Sequence, residues 1–391
     1  MQVMVNICKQ LAGMGHDVTI LDRKYSKNDP DTEKWEGVSI VRFGVPQIRP
    51  SRVPRFVNFL LAELDAVTFT LRVSAYLRSN AASIDIVHLH YTSIGLILAY
   101  LNRGLRRKMV YTCHLGQWSF PPERLRLLDR LHLFLDAFFM RRIARVVALS
   151  ESMKGKMVAR GGVDTSRVGV LPNGVDTSFF NPGLSVEGVR HRFGLEGRLT
   201  VLFVGRLTRM KGVDVILRAA DILVNELGYR HTLFLLVGPA AYDATEQSMS
   251  VADIKGFVES HGLAEHIFVV GSLPLDEVRK LYAASDVLLL PSQFEGDPLV
   301  TLEAMACGTP VIASRVGGLP RQIRDGWNGY LVDAGDERQV AGAIRRMIDN
   351  PDERLEVGHR AREYAVEEAD WRKVTERLLE TYVDIGEAAQ T

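Results

Sequence analysis

Hydrophobic and polar positions along this chain switch repeatedly between two patterns. Short apolar runs bounded by turn residues alternate with longer stretches of helical period. The runs predict strands at 17–21, 38–43, 84–89, 108–112, 145–149 and 167–171, then at 199–204, 232–237, 266–270, 286–290, 310–313 and 329–332. A run such as Asp286-Val-Leu-Leu-Leu290 has no polar face, the mark of a strand covered on both sides. The stretches between, notably 55–80 and 122–142, read as helices. Alternation of this kind along the whole length predicts an α/β chain with parallel, doubly wound sheets.

The opening departs from that plan. Residues 1–13 read as a helix, with Val5, Ile7, Cys8, Leu11 and Ala12 apolar, followed by Gly15-His16 and a strand. A doubly wound domain opens with a strand and a glycine-rich turn, and neither precedes this helix. Either the start lies upstream or the domain lacks a mid-sheet strand. The first reading is preferred, because a hole there would leave backbone groups of neighbouring strands unpaired. The turn Pro172-Asn-Gly-Val-Asp176 and the segment to Gly197 read as a linker. The expected domains are 1–180 and 181–370, with the helical stretch 371–391 folding back onto the first.

Composition narrows this little. A length of 391 residues favours two domains, and 47% hydrophobic with 24% charged residues is ordinary for a soluble globular protein. A net charge of +1 supplies no drive toward nucleic acid. Three dispersed cysteines (Cys8, Cys113, Cys307) build neither a disulfide framework nor a metal knuckle, and a reducing cytosol fits them. No apolar run approaches a spanning length, and no signal peptide is visible.

The chemistry concentrates between Pro291 and Pro310. After the strand at 286–290, Asp297 is expected to cap a helix, with Pro298 at its first position, Leu299 to Cys307 as its body and Gly308 as its stop. The open N–H groups of Leu299, Val300 and Thr301 would form an anion site at the mouth of a parallel sheet. Glu303 shares the helix face of Leu299 and Val300, suited to gripping ribose hydroxyls, and Glu295 stands just before the cap. Gly205-Arg206-Leu-Thr-Arg-Met-Lys211-Gly212 follows the strand at 199–204. Arg206 by its planar fork and Lys211 as a point charge could hold a diphosphate at the same sheet edge. Gly238 and the pair Val270-Gly271 end two further strands there, and glycines at such ends let a flat base approach.

Weaker signals accompany these. His114 closes a first-half strand in Tyr111-Thr-Cys-His114-Leu-Gly116 and reads equally as a sugar contact or a structural residue. His88 and His90 point to one strand face, with no third ligand spaced for zinc. Asp29-Pro-Asp31 reads as a turn rather than a metal site. Arg49, Arg52, Arg55, Phe56, Phe59 and Leu60, with a second patch of Arg103, Arg106, Arg107 and Lys108, read either as solvated faces or as contacts for an anionic membrane. The 125–140 stripe reads as core packing.

Together these segments resemble the retaining glycosyltransferases of family 4, with the two-Rossmann GT-B fold. The resemblance spans nearly the whole chain and is strongest in Asn173-Gly-Val-Asp176, Gly205-Arg206…Lys211-Gly212, the Glu295 and Glu303 pair, Cys307-Gly-Thr-Pro310 and Gly317-Gly318. It implies two doubly wound domains facing a cleft, with a UDP-, GDP- or ADP-sugar held by the second and neither metal nor other cofactor. Arg206 and Lys211 would match the diphosphate pair, Glu303 the ribose-binding glutamate, Glu295 the sugar contact, and His114 the histidine near the anomeric carbon. Acceptors would be carbohydrates or lipid-linked glycans at the cytoplasmic side. Domain closure would exclude the water that otherwise intercepts the sugar. The resemblance further implies retention of configuration, with the leaving phosphate deprotonating the acceptor. The chain departs from the family in its opening strand and in Gly296-Asp297-Pro298, which changes the side chain above the sugar.

Competing readings are a nucleotide-sugar epimerase on the same plan, a two-carboxylate glycoside hydrolase, and a non-catalytic or truncated nucleotide-sugar-binding protein. The hydrolase leaves the helix-start anion site without a use.

Overall fold

The computed structural model describes residues 2–26, 28–44, 55–90, 92–114, 118, 127–240 and 249–390, without the side chains of 55–63, 92–96, 127–128 and 388–390. Arg49, Arg52, Leu115 and Gly116 lie outside the described residues, as do the side chains of Arg55, Phe56, Phe59 and Leu60. The chain forms two units, Met1–Pro172 with Val374–Thr391, and Asn173–Lys373. The first boundary falls before the expected 180, because Val175 and Phe180 are buried in the core of unit 2.

Unit 1 begins with α1 (Gln2–Gly13), which buries Ile7 and Leu11. Next come β1 (Thr19–Arg23), β2 (Thr32–Trp35) and β3 (Val38–Phe43), paired as β1-β3-β2. The sequence reading gave 27–36 no strand, since β2 is too polar to show an apolar run. It forms as an exposed edge, antiparallel to β3. Glu36 and Gly37 both take positive φ (47° and 84°), the backbone of a two-residue hairpin turn. Asp29 does sit in a turn, its carboxylate accepting the amides of Tyr25 and Ser26.

The rest of unit 1 is α2 (Arg55–Ser79), β4 (Val87–Leu89), α3 (Thr92–Leu101), β5 (Met109–Thr112), α4 (Leu127–Met140), β6 (Arg145–Ala148), α5 (Glu151–Gly161) and β7 (Val168–Val170). The four strands form a second, all-parallel sheet in the order β4-β5-β6-β7. Its two faces are covered differently. Met109, Tyr111, Val146 and Ala148 pack with Phe69, Leu98, Phe139 and Met153 of α2 to α5. Val110 and Val147 face Ile385 of the returning helix α14 (Trp371–Gln390). The stripe expected to be core at 125–140 is split, with Ala137, Phe139 and Met140 buried and Leu131 and Phe134 exposed.

Unit 2 holds α6 (Glu187–Phe193), β8 (Leu199–Val204), α7 (Val213–Asp221), β9 (Thr232–Val237), α8 (Val251–Ser260), β10 (Ile267–Gly271), α9 (Leu275–Ala284), β11 (Val287–Leu290), α10 (Leu299–Ala306), β12 (Val311–Ser314), α11 (Leu319–Gln322), β13 (Gly329–Val332), α12 (Glu337–Asp349) and α13 (Pro351–Glu368). Its parallel sheet runs β10-β9-β8-β11-β12-β13. Strands β9 and β11 are buried along their whole length, as their unbroken apolar runs require. Strand order reverses between β8 and β11, and open sheets of this kind bind ligands beyond the carboxyl ends at such a point. No helix among the described residues is long and apolar enough to cross a membrane.

Candidate active site

Three loops meet at the reversal point of unit 2, and glycines let their backbones touch. Gly212, at φ 76° after β8, sits so close to Pro291 after β11 that a Cβ would lie 2.1 Å from the Pro291 carbonyl oxygen. The Gln293 amide donates to the Met210 carbonyl at 2.9 Å, fastening the same two loops. Gly317, at φ 56° after β12, would place a Cβ 1.7 Å from the Glu295 carbonyl oxygen. Only glycine fits either position.

This packing brings Lys211 and Glu295 together. Lys211 Nζ donates to Glu295 Oε1 at 2.6 Å, and the Ser292 hydroxyl donates to the same oxygen at 2.7 Å. Glu295 is only 6% exposed, so its charge is held by these partners rather than by water. The sequence reading sent Lys211 to a diphosphate and Glu295 to a sugar as separate contacts, but here they form one ion pair. Arg206 stands apart, exposed on the turn after β8.

Glu303 is 8% exposed on the first turns of α10. Its Oε2 accepts from the Tyr282 hydroxyl at 2.9 Å. Burial pushes its carboxyl up to about 7, against the opposing pull of the Tyr282 bond. Leu299 and Val300 open the same helix, as expected.

The expected cap is not made. Asp297 does not cap α10, and Pro298 occupies the cap position in extended conformation instead of the first helical one. The Asp297 carboxylate is turned into the interior, where it accepts from the Asn173 amide at 2.5 Å and from Gln322 Nε2 at 2.8 Å. Asn173 Nδ2 also donates to the Asp297 carbonyl at 2.7 Å. Burial pushes the Asp297 carboxyl up to about 6. The helix start therefore carries no side-chain cap, and its first amides stay open to an anion. Asn173, Gln322, Tyr282 and Ser292 were not singled out by sequence as site residues. Only Asn173 had a signal, as the head of Asn173-Gly-Val-Asp176.

The strand-end glycines serve each other. The Gly205 amide donates to Val237 at 2.9 Å and the Gly238 amide to Gly271 at 2.8 Å. A Cβ on Gly238 would lie 2.0 Å from the Gly205 carbonyl oxygen. The smallness of Gly238 is thus already required by the adjoining strand end, before any base is considered. Val270 is the penultimate residue of β10, two strands away from β8.

In unit 1, His114 follows β5 and His90 follows β4. His90 Nδ1 and His114 Nε2 share a hydrogen bond at 2.9 Å. His88 stacks on His90 at 4.4 Å and bonds Tyr382 of α14 and Thr112 through its two ring nitrogens. Desolvation holds His88 down at about 3, His90 well below its usual value and His114 at about 4. The cluster is therefore neutral at pH 7. With both nitrogens engaged, His88 is no metal ligand, and the described residues contain no group of three or more side chains able to hold a metal ion.

Comparison with known proteins identifies the family and the fold. The family model "Glycosyltransferase Family 4" matches residues 2–179, and "Glycosyl transferases group 1" matches 189–364. A D-inositol 3-phosphate glycosyltransferase of Acidothermus cellulolyticus is 31% identical over 97% of this chain and 84% of its own. Among solved structures, a sucrose-phosphate synthase from Thermosynechococcus elongatus superposes with a TM-score of 0.77 at 25% identity, covering 98% of this chain and 93% of that one. Anabaena HepE, solved with UDP-glucose, has the same fold, with a TM-score of 0.72 at 19% identity over 94% of this chain and 100% of its own. The chain belongs to the family 4 glycosyltransferases, enzymes with two Rossmann-like α/β domains of GT-B type.

Proposed function

We propose that this glycosyltransferase is a retaining, metal-independent enzyme whose donor, a sugar nucleoside diphosphate, docks at the reversal point of unit 2. The observation that most supports this reading is the Lys211–Glu295 pair beside the uncapped start of α10. Breaking the bond between the anomeric carbon and the diphosphate oxygen puts negative charge on the leaving group. The open amides and the two nearby cations meet that charge, and losing one such donor lowers the rate by about 10²–10³. Arg206, exposed at the mouth of the site, joins Lys211 on the diphosphate. Glu303 accepts from the ribose hydroxyls, and its desolvation sets the pH at which it does so. Glu295, already carrying Lys211, meets a hydroxyl of the sugar. Gly205, Gly238 and Val270 border the base. His114 contacts the reacting sugar as a neutral imidazole.

The acceptor is a carbohydrate or lipid-linked hydroxyl, and D-inositol 3-phosphate heads the panel because a relative is named for it. The experiment incubates the full chain with UDP-, GDP- and ADP-sugars, with and without acceptors. It should give acceptor-dependent nucleoside diphosphate release with one base, unchanged by EDTA, and a product that keeps the donor's anomeric configuration by NMR. An inverted product contradicts retention. Epimerised donor without transfer supports the epimerase reading instead.

Peripheral contact of unit 1 with an anionic bilayer belongs to the same proposal. Leu64 and Leu71 on α2, and Leu131 and Phe134 on α4, are exposed apolar side chains on helices that both pack against α3. Flotation with phosphatidylglycerol vesicles should carry the chain upward, and failure to float at low salt contradicts it.

A further inference from the structure

The second basic patch of the sequence has a structural counterpart that donor binding does not use. Five arginines line one cavity of about 270 Å³ in unit 1, together with Asp384 and Ile385 of α14. They come from separate parts of the chain. Arg106 and Arg107 lie on the 3-10 turn before β5, Arg142 and Arg145 flank the start of β6, and Arg167 precedes β7. All of these points are at the amino edge of the parallel sheet. His90 and His114 sit at the carboxyl edge, with roughly 13 Å of strand between the edges at about 3.3 Å per residue.

Three of the arginines are fixed by carbonyls rather than by carboxylates. Arg106 Nε donates to Ala99 at 2.5 Å, Arg142 to Phe138 at 2.7 Å and Arg167 to Arg141 at 3.3 Å. The Arg142 guanidinium also lies 3.3 Å from the Phe138 ring centre. Carbonyl contacts orient a guanidinium but leave its charge in place and most of its N–H groups unused. Arg167 alone of the five also feels a carboxylate outside the lining, that of the exposed Asp164. Among the described residues, no ion pair involves any of the five, and Asp384 is the one acidic residue in the lining. Like charges gathered around a concavity repel one another and focus a strong positive potential into it. Planar forks converging from several elements match the oxygens of phosphate.

The geometry points to a second anion site here, taking a multiply charged phosphate group at the sheet edge opposite the histidines. The group is either a free polyphosphate or a phosphomonoester lipid headgroup. The site is independent of the donor reading, because its residues lie entirely within unit 1.

The test titrates the full chain with inorganic tripolyphosphate by calorimetry, comparing wild type, Arg206→Ala and the double variant Arg145→Gln/Arg167→Gln. One binding event should weaken at least tenfold in the double variant and survive in Arg206→Ala. Equal affinity and stoichiometry in wild type and double variant overturns the site. Arg107→Gln, at an exposed position, keeps the test valid if the double variant melts early, and should weaken the same event about threefold. Asp384→Asn should tighten it about threefold, and weaker binding there contradicts the assignment. A second arm sediments the chain with phosphatidylcholine vesicles containing phosphatidic acid. Vesicle binding that tripolyphosphate displaces and the double variant loses identifies a headgroup. Tripolyphosphate binding without vesicle binding identifies a soluble anion. Binding to neither overturns the proposal.

Discussion

The two units meet the same physical demand with opposite chemistry. Each gathers polar side chains at the carboxyl ends of parallel strands, partly exposed in unit 1 and buried in unit 2. Unit 1 does so with imidazoles, His88, His90 and His114, stacked in a row with His90 and His114 hydrogen-bonded to each other. Unit 2 does so with carboxylates, Glu295, Glu303 and Asp297. Desolvation disfavours the charged form in both, so it pulls the histidines down and pushes Glu303 and Asp297 up. The histidine cluster of unit 1 is therefore neutral at pH 7. In unit 2, Glu295 is matched to a lysine, while Glu303 stands near its titration point. The distance of the partner separates these carboxylates: Lys211 lies 2.6 Å from Glu295, whereas Arg321 stands 3.7 Å from Asp297 and does not outweigh its desolvation.

The largest expected effect tests that partner. Lys211→Met or Glu295→Gln alone should lower transfer by about 10²–10³. Lys211→Met should also destabilise unit 2 by about 3 kcal/mol, since it strands the buried Glu295, and Glu295→Gln by less, since Lys211 keeps contact with water. The double variant should recover most of the stability and none of the rate. Recovery of the rate would mean that the pair is structural only. Gly317→Ala should be nearly as damaging to stability, roughly 4 kcal/mol, because its Cβ would collide with the Glu295 carbonyl. Denaturant unfolding reads this directly.

A smaller effect is expected at Asn173. Asn173→Ala removes the side-chain bond to the Asp297 carbonyl and should cost about 1–2 kcal/mol. Its amide bond to the carboxylate should remain, leaving donor affinity within a few fold.

The smallest effects are slopes with pH, and here the units should diverge. The folded histidines bind protons more weakly than the unfolded chain, so unit 1 loses stability as pH falls from about 6.5 toward 4. Glu303 binds its proton more tightly when folded, so its contribution runs the other way. It favours unit 2 at low pH and fades as pH rises from about 4.5 to 7. Hydrogen exchange of β5 and of β11 across this range should show opposite trends, with Glu303→Gln reducing the second and Asp297, pushed up to about 6, carrying what remains. In kinetics, kcat/KM for the donor should rise through about pH 7 as Glu303 ionises to accept from ribose, and Glu303→Gln should remove that limb.

Much of unit 2 was legible in sequence, because buried parallel strands leave unbroken apolar runs. β8, β9 and β13 begin and end where the runs at 199–204, 232–237 and 329–332 do. Unit 1 was less so. The edge strand β2 is polar on both faces and betrays itself only through its Glu36-Gly37 turn. The site was legible in its residue types and not in its pairings. Proximity in sequence made Asp297 a helix cap. A partner far away in the chain, Asn173, turned it inward, and no local rule foretells a contact of that range. The Lys211–Glu295 pair likewise depends on Gly212 lying against Pro291, a feature of three-dimensional packing.

The central claim is that the diphosphate of the donor docks on the open start of α10 and draws Lys211 toward it. A crystal of the full chain soaked with a nucleoside diphosphate tests this most directly. The account predicts phosphate oxygens within hydrogen-bond reach of the Leu299–Thr301 amides, with Arg206 and Lys211 turned onto them and ribose hydroxyls on Glu303. A diphosphate bound elsewhere, with the Lys211–Glu295 pair intact and Arg206 still in solvent, would contradict it.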